Sequence, residues 1–496
     1  MKDGLGSFFS KHERRLTQWV VYLAIFVTLA GLALLAYLGW YNRYWSDDWC
    51  YNLDFKNLGI WGTINTYFMT GKEALRGYSN NRYSLTLLSG LLSSTGILGA
   101  QITASLVILC WLVGLLWVFF NLSKIFAFAP NKSILVLGAV ILLYYTLYTS
   151  PQRFQILYWM AGIHYSFSVI TGILLVGFVT VQITQETRSK AVDYLAIPLA
   201  FIAGGFSETG CAFLLSGAIL ALLAAWYWKQ KRAAWAVKAF PTILIIFLSL
   251  LASLVVLALS PSNIARREFL STEQTAPLTA LILSFRFAVD FMIDSFRSQP
   301  LPNLMFIIAF VSLSILSGNS QPEQRNHSFW KTILSALAVV VIVWLIISAV
   351  QAPTALFYGT PPDPRGKSIA RFTMLAGLAV IAWMAGQPVN FSDQNKLFIV
   401  LALLGMTLNI VYTARSTTNV HAELPGFMER ARLWDQRDVD IRSALAQGQT
   451  RLEVIVIEMK DIHVRDIMSG DALEKGWVSV CGSRYYGLEA IKGIQP

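Results

Sequence analysis

Apolar stretches of about 20 residues recur along most of this chain, and they constrain its fold more than any other feature. A helix needs about 20 residues to cross the hydrocarbon core of a bilayer, because each residue advances it by about 1.5 Å. Of the 496 residues, 55% are hydrophobic and only 14% are charged. Soluble domains carry about 25% charged residues. The sequence therefore predicts an all-α polytopic membrane protein.

We predict about eleven transmembrane helices within residues 16–413, at roughly 20 residues per crossing. The first predicted span is too long for the apolar core of a cleavable signal peptide, so it is expected to remain in the protein. The predicted spans cover residues 16–40, 101–120, 133–149, 162–183, 192–206, 209–228, 239–260, 301–317, 332–350, 372–385 and 397–413.

The chain carries a formal net charge of +11, and many of its Lys and Arg residues lie in loops between apolar runs. Such cations orient a membrane protein and contact anionic lipids, so membrane lipids rather than nucleic acid are the expected partners. The short cationic loops predict a cytoplasmic N-terminus, residues 1–15. The longer loops on the other side are predicted to be extracytoplasmic: residues 41–98, 150–161, 204–209, 261–300, 351–371 and the tail 414–496.

Two segments are predicted to lie along the membrane rather than cross it. Residues 84–98 are apolar but short and rich in Ser and Gly. Residues 281–297 carry two Arg and two Asp residues at spacings of three and four, which pairs their charges along one face of an amphipathic helix. The alternative is that the second segment spans the bilayer, in which case everything after it changes side.

The tail of residues 414–496 is predicted to form a small extracytoplasmic domain of mixed α/β character. Residues 452–458 have an apolar centre flanked by acids, which suits a buried strand. Tyr485 either stacks on a sugar or packs this domain against the membrane helices, and packing is the favoured reading. Cys50 and Cys481 both fall outside the predicted spans, so a disulfide between them is conceivable, although the sequence does not determine the pairing.

Asp47 and Asp48 follow the first predicted span and place two adjacent carboxylates at the membrane rim. A carboxylate there can deprotonate a sugar hydroxyl or bind a divalent cation. Two neighbouring carboxylates in a low-dielectric rim repel each other, so one is expected to hold a raised pKa. The alternative is a polar helix end, with Ser46 or Asp47 capping a following helix. The residues alone favour the two readings equally.

Other polar and aromatic residues fall on the same predicted side. Glu208 lies in a glycine-rich reversal, where it is either a solvated helix cap or a site residue, and its closeness to membrane depth favours the site. His164 lies just inside a span, where a polar group needs a partner, so a site role is one interpretation and a simple bond to a neighbouring backbone carbonyl is the other. Tyr158 and Trp159 are read first as members of an aromatic belt at the interface.

Several arginines lie on the side where the distribution of cations in membrane proteins disfavours them. Arg266 and Arg267 belong to one extracytoplasmic loop, and Arg365 and Arg371 to another. The planar guanidinium group suits phosphate oxygens. Contact with lipid headgroups explains each cation singly. Two arginine-bearing loops on the same face as paired carboxylates instead favour an anionic phosphate ligand.

In the order and spacing of these motifs, the chain resembles the bacterial polytopic glycosyltransferases of the GT-C superfamily, near the branch of serotype-determining glucosyltransferases. The likeness covers nearly the whole chain and rests on short motifs. These are Ser46-Asp47-Asp48-Trp49-Cys50, Asn81-Arg82-Tyr83-Ser84, Tyr158-Trp159 with Gly162, Ser207-Glu208, Pro261 with Asn263 and Arg266, and Tyr485-Tyr486-Gly487.

The resemblance implies an inverting transfer from a polyprenyl-phosphate-linked sugar to a surface glycan, lipid or protein at the bacterial plasma membrane. It implies that Asp47 or Asp48 is the general base, and their adjacency leaves open whether they bind a divalent cation, Mg²⁺ or Mn²⁺. The residues assigned to the donor phosphate are Arg266, Arg267, Arg153, Arg365, Arg371 and His164. The residues assigned to the rest of the substrate are Glu208, Asn81, Arg82, Tyr158, Trp159 and Tyr485.

Two other functions remain open from the sequence. A flippase or other transporter of lipid-linked sugars would carry ionisable residues deep in several spans, and these spans contain few. A non-catalytic membrane assembly partner would tolerate the combined loss of Asp48, Glu208 and Arg266 as long as it folded.

Overall fold

The computed structural model describes residues 2–69, 80–125, 132–264, 274–317, 329–387, 396–457, 464, 466–467 and 477–494. This part of the chain is mostly helical, with one two-stranded sheet near its C-terminus. The helices are α1 Lys2–Leu38, α2 Asp48–Met69, α3 Tyr83–Ser93, α4 Ile97–Ile125, α5 Lys132–Tyr148, α6 Arg153–Leu157, α7 His164–Thr184, α8 Lys190–Gly204, α9 Glu208–Gln230, α10 Ala234–Leu259, α11 Pro277–Ser298, α12 Pro300–Leu316, α13 Phe329–Tyr358, α14 Lys367–Gly386, α15 Lys396–His421, α16 Leu424–Ala446 and α17 Trp477–Tyr486. The strands are β1 Arg451–Ile455 and β2 Ala490–Ile494.

Eight helical segments among the described residues are long and apolar enough to cross a membrane. The chain is therefore a multi-pass membrane protein with a helical membrane domain, as its apolar runs predict. The segments are Arg15–Tyr41, Ile97–Ile125, His164–Thr184, Glu208–Gln230, Ala234–Leu259, Trp330–Tyr358, Lys367–Gly386 and Leu397–Ala446. The bent pair α11 and α12 adds a ninth if it is counted as one span.

Three predicted spans correspond to shorter helices. α5, α8 and α12 have 17, 15 and 17 residues, fewer than the about 20 that a straight crossing needs. α5 is buried along most of its length, so other helices surround it. These three helices account for the difference between the predicted number of spans and the eight segments that meet the length and hydropathy criteria.

The segment predicted to be an interfacial amphipathic helix, residues 281–297, forms α11. Its charged residues include Arg286 and Asp290, an exposed ion pair at 3.7 Å. Its narrow buried face consists mostly of small residues and packs against α13. The chain then turns by 91° into α12. The position of α11 along the bilayer surface remains a prediction.

The first predicted extracytoplasmic loop contains two packed helices, α2 and α3. α2 bends at Gly59, whose φ of 67° is readily adopted only by glycine. α3 occupies most of the segment predicted to lie on the membrane, and the chain turns after Ser93 before α4 begins. Gly90 of α3 faces the ring of Phe55 in α2, so the two helices approach closely at this point.

The C-terminal segment combines helix and strand, as the sequence predicts, but it continues directly from the membrane domain. α15 runs through the predicted boundary at residue 414 to His421, and α16 follows after two residues. β1 and β2 pair in parallel, with Arg451 opposite Ala490 and Ile455 opposite Ile494. One apolar core extends from α1 to β2, so this segment packs onto the membrane helices.

Candidate functional site

The two aspartates lie in a tight turn between α1 and α2. Ser46 has a φ of 46°, a left-handed conformation that is unfavourable for a residue with a side chain and persists only where its surroundings enforce it. The N–H of Trp45 donates to Oδ2 of Asp48 at 3.0 Å. The N–H of Asp48 donates to the carbonyl of Trp45 at 2.8 Å. The turn is thus closed by its own backbone and by the carboxylate that begins α2.

Asp48 is fully buried, and both of its carboxylate oxygens accept backbone hydrogen bonds. Besides the bond from Trp45, its Oδ1 accepts from the N–H of Ala161 at 3.2 Å. Burial raises the pKa of Asp48 well above its ordinary value, and the charge of Asp47 raises it further, against the opposing effect of the two amide bonds. Asp47 is 7% exposed and is the more accessible member of the pair.

Ala161 links the turn of residues 44–48, called here the acidic turn, to His164. Its N–H contacts Asp48, and its carbonyl accepts a hydrogen bond from Nδ1 of His164 at 2.9 Å. Because Nδ1 donates there, Nε2 of the neutral ring carries a lone pair. Nε2 is buried with no hydrogen-bond partner among the described residues. The bond to a neighbouring carbonyl, the alternative that the sequence left open for this histidine, is therefore present, and Nε2 is left without a hydrogen-bond partner among the described residues.

Three charged side chains, Arg82, Arg365 and Glu208, lie close enough to His164 to act on it electrostatically. Nε of Arg82 forms an ion pair with Oε2 of Glu208 at 3.0 Å, and their side chains are 16% and 17% exposed. Glu208 is held in place by the start of α9, where Ser207 caps the helix by accepting from the N–H of Gly210. A carboxylate in the first turn of a helix is also stabilised by the helix dipole.

Arg82 and Arg365 form a cationic group near His164, and Arg365 is the more exposed of the two. Its guanidinium lies 5.1 Å from the ring centre of Trp159, and it pairs with the exposed Asp363 at 3.3 Å. Its side chain is 25% exposed, whereas its Nε is buried with no hydrogen-bond partner among the described residues. Arg82, His164, Glu208, Trp159 and Arg365 therefore form a group that is partly open to the outside.

Other residues assigned to the substrate lie in packing positions. Tyr158 is buried and donates to the carbonyl of Leu35 at 2.9 Å. Asn81 donates to Oδ1 of Asn263 at 3.0 Å and so ties its loop to the segment after α10. Tyr485 packs edge-on against Trp49 at 5.2 Å. These contacts agree with the packing reading of Tyr485.

Two other assigned arginines have partners of their own. Arg153 forms an ion pair with Glu423 between α15 and α16. Arg371 is buried in α14, where it donates to Oγ1 of Thr149 at 2.9 Å and to Oδ1 of Asn303 at 2.7 Å. Arg266 and Arg267 lie outside the described residues.

A residue that the sequence analysis missed, Arg430 of α16, contacts the acidic turn directly. Its guanidinium lies 3.3 Å from the ring centre of Trp45, and its Nη2 donates to the carbonyl of Tyr44 at 2.9 Å. A helical pattern could have revealed it, because Arg430 shares a buried face at spacings of three and four with Phe427 and Trp434.

The C-terminal segment is fastened to the acidic turn at several further points. A disulfide joins Cys50 of α2 to Cys481 of α17, which is the pairing that the sequence left undetermined. Trp434 of α16 stacks on Trp49 with ring centres 5.5 Å apart. On the other side of the turn, Arg43 forms an ion pair with Asp435 at 2.6 Å.

The acidic pair fits a metal site poorly. A divalent cation such as Mg²⁺ or Mn²⁺ needs several oxygen ligands, and both oxygens of Asp48 face amide hydrogens instead. Within the described ranges, no group of three or more His, Cys, Asp or Glu side chains is arranged to hold a metal ion.

No family model, curated protein or solved structure matches this chain.

Proposed function

We propose that this protein is a membrane glycosyltransferase that moves a sugar from a polyprenyl-phosphate-linked donor to a hydroxyl group of an extracytoplasmic acceptor. The observation that carries the proposal is the double contact at Ala161. Its N–H holds the carboxylate of Asp48, and its carbonyl holds His164, which is surrounded by the charges of Arg82, Arg365 and Glu208. Ala161 thus holds one acid of the pair and a histidine on which nearby arginines act.

An inverting transfer needs these two kinds of group at once. The acceptor oxygen attacks the anomeric carbon and gives its proton to a carboxylate, while the bond from that carbon to the phosphate oxygen breaks. The sugar then joins the acceptor with inverted configuration, and the polyprenyl phosphate leaves with an additional negative charge. Cationic and hydrogen-bonding groups fixed near that charge lower the barrier.

Of the two aspartates, Asp47 suits the role of base and Asp48 suits a positioning role. Both oxygens of Asp48 are engaged by amides, and the side chain is fully buried. A base must come within hydrogen-bond reach of the acceptor hydroxyl. Asp47 is adjacent and retains some exposure.

Arg82 and Arg365 suit the donor phosphate. Both side chains are partly exposed, and guanidinium forms short, charge-assisted bonds to phosphate oxygens. The ion pair with Glu208 keeps Arg82 in a fixed position before the substrate binds. The prenyl chain would lie against the apolar helices.

The disulfide supports the prediction that the acidic turn lies on the extracytoplasmic side of the membrane. Disulfides form and persist mainly in oxidising compartments, such as the bacterial periplasm and the cell exterior. Cys50 lies two residues after Asp48, so an oxidised Cys50–Cys481 pair favours an extracytoplasmic acidic turn.

The direct test is transfer by purified protein reconstituted with polyprenyl-phosphate sugars. The acceptor fraction is taken from cells that lack the protein, and new glycosidic bonds are detected by mass spectrometry. We expect Asp47→Asn to reduce transfer by about 10²–10⁴-fold, the usual contribution of a general base. The matched control is Asp440→Asn, a change of an exposed acid on α16. Full transfer by both Asp47→Asn and Asp48→Asn would refute the assignment of the base.

One observation favours the flippase alternative. Arg371 is a buried cation within a membrane-spanning helix, and its hydrogen-bond partners Thr149 and Asn303 are neutral. A flippase would move intact lipid-linked sugar across vesicle membranes without forming a glycosidic bond. The same reconstituted vesicles distinguish the two functions, because donor translocation and glycoside formation can be measured in parallel.

A further inference from the structure

Arg430 is a buried arginine that contacts the acidic turn. Its side chain is buried in α16, and its Nε and Nη1 have no hydrogen-bond partner among the described residues. A buried guanidinium is costly unless nearby groups compensate for its lost hydration. The groups around it therefore indicate what the residue does.

The groups in direct contact with it belong to the acidic turn. The guanidinium covers the ring of Trp45, an attractive cation–π arrangement, and it donates to the carbonyl of Tyr44. Among the charges around it, Asp466 and, more weakly, Asp48 attract the guanidinium, whereas Arg437 and Arg43 repel it. Trp45 in turn supplies the N–H that holds Oδ2 of Asp48. Arg430 is thus connected to the acid pair through two consecutive residues of the turn.

The turn needs such support because its own conformation is unfavourable. Ser46 is held in a left-handed conformation immediately before Asp47. If Tyr44 and Trp45 were free to move, the turn could relax, and the direction of the Asp47 side chain would change.

We infer that Arg430 is a positioning residue of the acidic turn: it fixes Tyr44 and Trp45 in the conformation that presents Asp47. The inference rests on the proposed function for its catalytic consequence, but not for its structural content. It makes α16 a part of the active site instead of a separate C-terminal module. The disulfide and the stacking of Trp434 on Trp49 hold that helix in place.

The test compares Arg430→Met, Arg430→Lys and a control, Arg432→Met. Arg432 lies on the same helix but is exposed and pairs with Glu429. We expect Arg430→Met to reduce kcat by about 100-fold, the scale of an ångström-sized misplacement of a catalytic group. The KM for the donor should stay nearly unchanged, because Arg430 does not contact the proposed phosphate group. Lysine keeps the charge but not the planar fork, so it should restore part of kcat.

Two further measurements separate positioning from misfolding. Peptide mapping without reduction should show the Cys50–Cys481 disulfide intact in each variant, which reports that α17 is still joined to α2. Hydrogen exchange of the amides of residues 44–48 should accelerate by about 10-fold or more in Arg430→Met, as expected when a local structure loses one good contact. The exchange of these amides should be unchanged in Arg432→Met.

The outcomes of the two proposals can be told apart. If the unmodified protein transfers no sugar, the proposed function fails, and the exchange comparison still decides the role of Arg430. Unchanged exchange at residues 44–48 in Arg430→Met overturns the inference. A wild-type kcat in Arg430→Met also overturns the inference, whether KM is unchanged or raised.

Discussion

At the scale of single residues, the site depends on how each polar atom is satisfied. Asp48 and His164 are both buried, and the backbone of Ala161 provides a partner for each. That shared residue makes the two side chains a unit although 116 positions separate them. Asp47, beside them, is buried less completely than Asp48, with 7% of its surface exposed.

Asp48→Asn tests the positioning role of this carboxylate. Asparagine offers one oxygen and one amino group, so the N–H of either Trp45 or Ala161 would lose its acceptor and face another donor. A buried donor without a partner costs about 1–3 kcal/mol. We expect a lower free energy of unfolding, measured by denaturant titration in detergent, and slower transfer. Asp440→Asn, at an exposed acid, should change neither.

The pH dependence of the Asp48→Asn effect follows from the raised pKa of Asp48. The carboxyl group of Asp48 binds its proton more tightly in the folded protein than in the unfolded chain. Asp48 therefore contributes its full stabilisation at pH values below its ordinary pKa. That contribution is lost as pH rises through the raised pKa of the folded state. The stability difference between the unmodified protein and Asp48→Asn should therefore be largest in acid and shrink towards neutral pH. Thermal unfolding of both proteins over this range is the measurement, and a difference that grows with pH would contradict the assignment.

At the scale of helices, the close packing of α2 and α3 determines where the site residues lie. α3 begins directly after Arg82, and its Gly90 lies against the ring of Phe55 in α2. α2 begins at Asp48, so the packing of these two helices joins the acidic turn to the cationic group. Small residues permit such close approach between membrane helices.

Gly90→Ala should separate α2 from α3. An added Cβ would overlap Cζ of Phe55, so the helices or the ring must move. Overpacking of this kind costs about 1–3 kcal/mol. We expect a lower melting temperature together with reduced transfer.

Gly217→Ala is the matched control for Gly90→Ala. Gly217 also lies within a helix, but no neighbouring atom lies within 4 Å of its added Cβ. Alanine is favoured over glycine in a helix interior by about 0.5–1 kcal/mol, so this variant should be as stable as the unmodified protein or more so. Equal destabilisation by both substitutions would argue against the packing of α3 on α2.

At the scale of the whole molecule, the C-terminal segment closes over the beginning of the chain. The disulfide spans 431 positions, and the aromatic contacts of α16 and α17 surround Trp49. The protein is therefore a continuous body in which the last helix supports the first loop.

Disulfide formation and labelling test both this closure and the orientation. In intact cells, the Cys50–Cys481 pair should form only when the envelope is oxidising. Cys50 and Cys481 are themselves buried, so the orientation is read from Asp440→Cys, at an exposed position of α16. A membrane-impermeant thiol reagent added outside should label this new cysteine. Cys211 is buried and should remain unlabelled. Labelling of Asp440→Cys only from the cytoplasmic side would reverse the predicted topology.

Loss of the disulfide should also destabilise the protein. Disulfides typically contribute about 2–4 kcal/mol, mainly by restricting the unfolded chain. We expect Cys481→Ser to lower the unfolding temperature and to speed hydrogen exchange in α17. Cys110→Ser is the control, because Cys110 is a free cysteine. Equal melting temperatures for the two variants would contradict a role of the disulfide in stability.

The sequence by itself determined the features that depend on local composition and periodicity. Apolar runs predicted the helical membrane domain, because burial in lipid leaves its pattern along the chain. The acid-flanked apolar run in the tail predicted a buried strand over residues 452–458. The strand β1 instead covers Arg451–Ile455, and only Val454 of its five residues is buried. The same local reasoning found Asp47, Asp48, His164 and Glu208 as candidates. It did not distinguish α5, α8 and α12 from full spans, because hydropathy shows how apolar a segment is and not where its helix begins and ends.

Only the tertiary structure decided which candidates meet. Ala161 joins Asp48 to His164, and Arg430 reaches the turn from a helix that begins 376 positions after α2 does. The partners of Arg153 and Arg371 likewise come from distant elements, and no local pattern encodes them. The physical reason is that a buried polar atom must find a partner in space, and the chain places that partner by packing whole helices. Composition therefore predicts that such residues need partners, whereas the fold determines which partners they have.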